Sequence, residues 1–171
     1  MSRQATILCV DDRADSLLIR KLMLEQFGCK VVAVTDSRSC LNALSGNSVD
    51  LVLIDYHLAE ETNGEDLARH IRSRQPDLPL ILLTGDPKIP DSARDSVDAV
   101  LIKGAGSPRD LFILIEDLVP GAACGRVPSR FFPVLTEKHL RVLESLHRVL
   151  GSPWRPKMFG SERTRHQAQR I

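Results

Sequence analysis

The chain has 171 residues, of which 43% are hydrophobic, and its 23 basic and 22 acidic residues leave a formal net charge of +1. This composition is ample for a packed core and excludes a chain that is disordered throughout. The near-zero net charge gives no bulk attraction to nucleic acid or membranes, and no apolar run approaches the roughly 18 residues of a membrane-spanning helix. Residues 1–4 lead directly into an apolar run without a signal-peptide pattern, so we expect a cytoplasmic protein.

The four cysteines are scattered and lack the CxxC spacing of a zinc or redox site. They stand mostly in apolar surroundings, at Cys9, Cys29, Cys40 and Cys124. This pattern predicts buried thiols in a reducing compartment rather than disulfides.

Short apolar runs alternate with amphipathic stretches over the first two thirds of the chain. The runs lack polar alternation, which is typical of parallel strands covered on both faces. The amphipathic stretches end at breakers such as Gly28 and Pro76, and Ser37 is a candidate cap. In chain order the pattern predicts a strand at 6–10, a helix at 14–27, a strand at 30–34, a helix at 37–44, a strand at 50–55, a helix at 64–74, a strand at 80–84, a short helix around 91–95, a strand at 99–102 and a helix at 108–118.

Five alternations of strand and helix predict an α/β domain over residues 1–119. The expected fold is flavodoxin-like, a doubly wound five-stranded parallel sheet with strand order 2-1-3-4-5. A Gly-, Ala- and Pro-rich linker is predicted at 120–135, a C-terminal helix at 136–150, and a basic, irregular tail at 151–171.

Polar residues stand at the carboxyl ends of four predicted strands. Asp11 and Asp12 follow the first strand, Asp55 ends the third, Thr84 ends the fourth and Lys103 follows the fifth. Ligands of doubly wound sheets bind at these ends, so we expect the five side chains to form one pocket. Three carboxylates repel one another unless a hard cation such as Mg²⁺ joins them. With Lys103, such a pocket suits phosphoryl transfer to the carboxylate of Asp55.

Four sequence blocks at these strand ends resemble the motifs of the response-regulator receiver domain of two-component signalling. The blocks are ILCVDD, LVLIDYHL with Gly64 after it, LILLTG and VLIK, and the resemblance covers residues 5–119. It implies that Asp55 is the phosphoacceptor, that Mg²⁺ is the cofactor and that Lys103 contacts the phosphoryl group. The sequence DYHL is also similar to the corresponding motif of receivers attached to hybrid histidine kinases. The other implied roles are Asp12 as a direct metal ligand, Asp11 as a ligand mainly through water, the backbone carbonyl of His57 as a further ligand, and Thr84 as the switch hydroxyl.

The chain departs from this family pattern on the side of the fifth strand. Gly104 stands where the family usually has proline, and Val100 stands where it usually has the aromatic switch residue. These departures indicate that transmission of the signal differs from the usual route. His57 and Asp86 flank the predicted pocket and are candidates for tuning hydrolysis, although His57 can equally be an ordinary loop histidine.

The resemblance implies a stand-alone phosphoacceptor with a short C-terminal extension. Its partners would be a histidine kinase or phosphotransfer protein and a downstream protein, and it would be no enzyme beyond magnesium-dependent self-phosphorylation and self-dephosphorylation. Two alternatives stay open. Residues 134–150 resemble the first helix of a LuxR-type helix-turn-helix domain, which would make the chain a transcriptional regulator with a truncated output. The chain could also be a receiver-fold scaffold that works without phosphorylation. Membrane binding and nucleic-acid binding are not expected, and homodimerisation is left open.

Overall fold

The computed structural model describes residues 4–59, 63–105 and 108–121, all of which lie in the first of two units of the chain, Met1–Phe131. Within these residues, strands and helices alternate as the sequence predicts. In chain order they are β1 (Thr6–Val10), α1 (Ala14–Gln26), β2 (Lys30–Val34), α2 (Ser37–Gly46), β3 (Leu51–Asp55), α3 (Gly64–Arg74), β4 (Leu80–Thr84), α4 (Asp91–Asp95), β5 (Ala99–Ile102) and α5 (Pro108–Leu118).

The five strands form one parallel sheet with the order β2-β1-β3-β4-β5, which confirms the predicted fold class. The register pairs Asp55 of β3 with Leu83 of β4, and Thr84 of β4 with Ile102 of β5. Strands β1, β3 and β4 are buried along their whole length, which explains why their sequences show no polar alternation. All strands run the same way, so the residues that follow them collect at one edge of the sheet.

Two hydrophobic clusters cover the two faces of the sheet, because successive strand side chains point to opposite faces. Ile7 and Cys9 of β1 belong to the cluster that includes residues of α1 and α5. Leu8 and Val10 belong to the cluster that includes residues of α2, α3 and α4. Each large side chain buried in this way stabilises the fold by about 1.5–3 kcal/mol.

Three of the four cysteines are buried thiols, at Cys9, Cys29 and Cys40, as the sequence predicts. Burial raises the pKa of Cys9 and that of Cys40 to about 12, so neither is a reactive thiolate. The prediction for Cys124 lies outside the described residues.

The predicted element bounds differ from the structure at a few termini. Helix α1 ends at Gln26 rather than Phe27, α2 extends to Gly46, and β3 begins at Leu51. The prediction of Ser37 as a cap was wrong, because Asp36 precedes it in extended conformation and its carboxylate accepts the Ser39 N–H at 2.7 Å. Aspartate and serine cap helices equally well, so adjacent candidates cannot be ranked from the sequence.

The predicted linker at 120–135 lies almost entirely outside the described residues, and the predicted helix and tail lie wholly outside them. The same holds for residues 60–62 of the loop after β3. Those predictions, and the domain boundaries that depend on them, stay predictions. None of the described helices is both long enough and apolar enough to cross a membrane.

Candidate functional site

Three carboxylates meet at the carboxyl edge of the sheet. Asp11 and Asp12 follow β1, Asp55 is the last residue of β3, and one oxygen of each lies within 4.8 Å of the others. Asp11 and Asp55 are buried, whereas Asp12 is exposed. Closely spaced carboxylate oxygens with one solvent-facing member are a donor set that suits a hard divalent cation. These three residues could therefore hold a metal ion.

Lys103 connects the buried carboxylates. Its backbone N–H donates to the Thr84 carbonyl oxygen at 2.6 Å, which ties the end of β5 to the end of β4. Its ammonium group donates to Asp55 Oδ2 and lies 3.4 Å from Asp11 Oδ2. A lysine separated from Asp55 by nearly fifty residues thus contacts the predicted acceptor directly.

The two buried carboxyl groups are shifted in opposite directions. Burial raises the pKa of Asp55, and neither the hydrogen bond nor the charge of Lys103 outweighs burial and the nearby charge of Asp11. Burial also acts to raise the pKa of Asp11, but the Arg13 N–H and the charges of Lys103 and Arg20 outweigh it and lower that pKa. Opposite shifts in one pocket separate the roles of its carboxylates. In the metal-free chain Asp55 thus binds a proton more readily than Asp11 does.

The backbone around Asp55 is fixed by the loop that follows β3. The His57 N–H donates to Asp55 Oδ1 at 3.2 Å, and the Gly64 N–H donates to the Tyr56 carbonyl oxygen at 2.9 Å. A Cβ atom at Gly64 would lie 2.2 Å from the Asp55 carbonyl oxygen. Only glycine fits there, which gives the Gly64 of the sequence motif a physical reason.

Thr84 is buried beside the pocket, and its hydroxyl is held by the loop after β4. The hydroxyl accepts the Asp86 N–H at 3.0 Å and donates to the Asp86 carbonyl oxygen at 3.2 Å. The Asp86 carboxylate accepts the Lys88 N–H at 2.8 Å. Asp86 thus helps to hold the loop after β4 in place. Its predicted role in tuning hydrolysis of the phosphoryl group stays a prediction.

His57, Val100 and Gly104 complete the residues singled out in the sequence. The His57 ring is exposed and stands edge-on to Tyr56, with ring centroids 5.0 Å apart, and the role of its carbonyl as a ligand stays a prediction. Val100 packs on the cluster that includes residues of α4. Gly104 has φ +79°, a value that the proline ring, with φ near −65°, excludes. The backbone at residue 104 therefore has a conformation that the proline usual at this position could not adopt.

Arg20 was not predicted as a site residue, but the structure places it against the pocket. Its side chain is buried, and Nη2 lies 3.1 Å from Asp11 Oδ2. Nη1 is buried without a hydrogen-bond partner among the described residues. The signal was spacing, because residue 20 falls between Leu17 and Leu24 on the buried stripe of α1.

A family model for the response regulator receiver domain matches residues 7–103, more than half of the chain, and this range includes Asp11, Asp12, Asp55, Thr84 and Lys103. The chain belongs to the response regulator receiver domain family. It is thus a receiver domain of the two-component signalling type, as the sequence motifs indicate.

Relatives and solved structures agree with this assignment. The sensor protein GacS of Pseudomonas syringae pv. syringae is 35% identical over 88 residues, covering 48% of this chain and 10% of GacS. The response regulator SaeR of Staphylococcus aureus is 29% identical over 119 residues, covering 66% of this chain and 50% of SaeR. The chain thus matches half or less of the length of these relatives.

Among solved structures, a CheY-like receiver domain protein of Methanospirillum hungatei JF-1 is similar, with a TM-score of 0.63 and 25% identity. The match covers 68% of this chain and 94% of that protein. The Thermotoga maritima response regulator TrrA, solved in complex with Mg(2+)-BeF, shares the fold with a TM-score of 0.62 and 22% identity, over 67% of this chain and 99% of TrrA.

Proposed function

We propose that this receiver domain accepts a phosphoryl group on Asp55 and signals through the resulting change in its protein contacts. The observation that carries the proposal is the contact of the Lys103 ammonium with Asp55 Oδ2, next to two further carboxylates. A fixed cation on the acceptor carboxylate is placed to neutralise the charge of an incoming phosphoryl group.

The donor set fits Mg²⁺, and Asp11, Asp12 and Asp55 would hold it, with the His57 carbonyl as a further ligand. When bound, the ion supplies positive charge to the phosphoryl oxygens. The protein contributes the fixed carboxylates, and it contributes Lys103 as a second cation beside the acceptor.

In the proposed transfer, an oxygen of Asp55 attacks the phosphorus of a phosphohistidine. The new oxygen–phosphorus bond forms while the phosphorus–nitrogen bond of the donor breaks, and the leaving imidazole takes a proton from solvent. Later attack of water on phosphorus releases inorganic phosphate and restores the carboxylate. We propose no enzymatic activity of this chain beyond this self-phosphorylation and self-dephosphorylation.

The phosphoryl donor would be a histidine kinase or a phosphotransfer protein, and the reader of the phosphorylated state would be a downstream protein. Both partners imply a cytoplasmic location, which is consistent with the buried thiols. On the protein side, Thr84 is the hydroxyl that would leave its Asp86 contacts for a phosphoryl oxygen.

The test is incubation of the full chain with a small phosphodonor and Mg²⁺, followed by intact mass. We expect a gain of one phosphoryl group that Asp55→Asn abolishes and that chelation of the metal with EDTA prevents. Asp77→Asn is the matched control, because it removes an exposed carboxylate on the loop between α3 and β4 and should leave the gain intact. The absence of a gain in the wild-type protein would contradict the proposal and favour a phosphorylation-independent scaffold.

A further inference from the structure

Arg20 occupies a core position of α1 although it is charged. The buried residues of this helix are Leu17, Arg20 and Leu24, which follow helical spacing and face the sheet. An apolar side chain at this position would extend the stripe. The arginine instead reaches the end of β1, where its guanidinium meets the Asp11 carboxylate at 3.1 Å.

This ion pair has the features of a charge-compensating contact rather than of a stabilising one. Both partners are buried, so both have lost the water that would solvate their charges, and the Nη1 group finds no hydrogen-bond partner among the described residues. Buried pairs of this kind seldom stabilise a fold more than apolar residues of similar volume do. Arg20 is therefore expected to affect the electrostatics of the pocket rather than the stability of the fold.

The charges of the pocket show what Arg20 changes. Asp11, Asp12 and Asp55 bring three negative charges, and Lys103 supplies one positive charge to the two buried carboxylates. Arg20 adds a second positive charge on the same Asp11 oxygen that Lys103 approaches. Arg13, which precedes α1, is not equivalent, because its guanidinium pairs with Asp15 and its side chain is 60% exposed.

We propose that Arg20 is a counter-ion of the metal site. Its positive charge neutralises part of the negative charge of Asp11 even when no metal is bound, and this lowers the affinity of the pocket for Mg²⁺. The proposal rests on the metal site of the proposed function. It makes Arg20 a residue that sets the Mg²⁺ affinity of the pocket through the charge of Asp11. A fixed charge within about 4–6 Å changes the protonation equilibrium constant of a neighbouring group tenfold or more. By the same electrostatic effect, removing Arg20 should tighten Mg²⁺ binding about tenfold.

The experiment is a Mg²⁺ titration of the unphosphorylated full chain, followed by ¹H–¹⁵N NMR at the amides of the pocket. Arg20→Met removes the charge and keeps an unbranched side chain, whereas Arg20→Lys keeps the charge. Lys21→Met is the matched control, because it makes the same change one residue further along α1, where the side chain is 43% exposed and pairs with Glu25. Circular dichroism checks that each variant is folded, and Arg20→Gln replaces Arg20→Met if the latter is not.

We expect the neutral variant to bind Mg²⁺ about tenfold more tightly than the wild-type chain, while Arg20→Lys and Lys21→Met stay within about twofold. A neutral variant with unchanged or weaker Mg²⁺ binding would overturn the proposal, since Arg20 would then only hold Asp11 in place. Tightening in Arg20→Lys, or no Mg²⁺ binding by any form, would also overturn it.

The titration does not depend on phosphorylation, so the two hypotheses fail separately. Tighter Mg²⁺ binding by the neutral variant, without a phosphoryl mass gain in the wild-type chain, supports the counter-ion and rejects the phosphoacceptor. A phosphoryl mass gain with unchanged Mg²⁺ affinity in the neutral variant does the reverse.

Discussion

Two sides of the same pocket are held by different kinds of contact. We define the acceptor cluster as Asp11, Asp12, Asp55 and Lys103. Ion pairs join Lys103 to Asp11 and Asp55, which lie far from it in sequence, and the Asp12 carboxylate lies close to the other two carboxylates. The β4–β5 side, defined as Thr84, Val100 and Gly104, is held by contacts with the nearby loop and by ordinary apolar packing.

Under the proposed function, the acceptor cluster would receive the phosphoryl group and the β4–β5 side would transmit the signal. The acceptor cluster brings together the charges that phosphoryl transfer requires. On the β4–β5 side, Thr84 is the only one of the three residues with a polar side chain. Val100 has no aromatic ring that could rotate. We therefore expect changes in the acceptor cluster to alter phosphorylation strongly, and changes on the β4–β5 side to alter stability or response with small effects on phosphorylation.

The largest effect is expected for Lys103→Met. This change removes the cation that contacts Asp55 and approaches Asp11, so phosphorylation by a small donor should slow roughly 100-fold, as for other single electrostatic groups at reaction centres. An intact-mass time course measures the rate. Lys88→Met, on the exposed loop after β4, is the control and should react at the wild-type rate. A Lys103→Met rate within twofold of wild type would mean that the acceptor cluster is not an electrostatic unit.

The second effect concerns stability and its dependence on pH. Because the folded-state pKa of Asp55 is raised, the folded chain binds a proton at this site more tightly than the unfolded chain does. The ionised carboxylate therefore destabilises the fold at neutral pH, and Asp55→Asn should raise the stability of the metal-free chain there. The difference should shrink as pH falls through the folded-state pKa of Asp55.

Thermal melts in EDTA at several pH values between neutral and mildly acidic test this prediction. Asp11 works in the opposite sense: its lowered pKa supplies stability above its unfolded-state pKa, which is lost in acid in both proteins. An Asp55→Asn chain that is less stable than wild type at neutral pH would show that the Lys103 contact outweighs burial.

A third, smaller effect is expected for Thr84→Ala. Loss of the hydroxyl leaves the Asp86 N–H without its acceptor and should lower stability by about 1 kcal/mol. The phosphoryl mass gain should persist, but the NMR shifts of β4 and α4 on phosphorylation should diminish. Thr84→Ser keeps the hydroxyl and serves as the control. Complete loss of phosphorylation in Thr84→Ala would place the hydroxyl in the acceptor cluster instead.

The smallest effect is expected for Gly104→Ala. Among the described residues, apart from its two chain neighbours, no atom lies within 4 Å of a Cβ at this position. The cost should therefore come from the positive φ and be about 1 kcal/mol of stability. Gly46→Ala offers a control with the same open space but helical backbone, where alanine should stabilise by about 0.5–1 kcal/mol. Denaturant unfolding compares the two variants. Equal effects would show that backbone strain at Gly104 is not a constraint.

Most of the fold and of the candidate site could be predicted from the apolar strands and the polar residues at their ends. Apolar runs located β1 and β4 to the residue, and the polar residues directly after such runs identified Asp55 and Lys103, because parallel strands bring their ends together. Arg20 was not predicted, since counting apolar residues on α1 passes over a charged residue on the buried stripe. The opposite pKa shifts of Asp11 and Asp55 also could not be predicted, because they depend on which oxygen each cation reaches.

The central claim is that Asp55, rather than another carboxylate of the pocket, accepts the phosphoryl group. Borohydride reduction of the phosphorylated chain converts an aspartyl phosphate to homoserine, and trypsin then separates the candidates, because Asp11 and Asp12 lie in residues 4–13 and Asp55 lies in residues 39–69. Tandem mass spectrometry should find homoserine at position 55 and unmodified aspartate at positions 11 and 12. Homoserine in the peptide of residues 4–13, or in neither peptide, would contradict the assignment of Asp55.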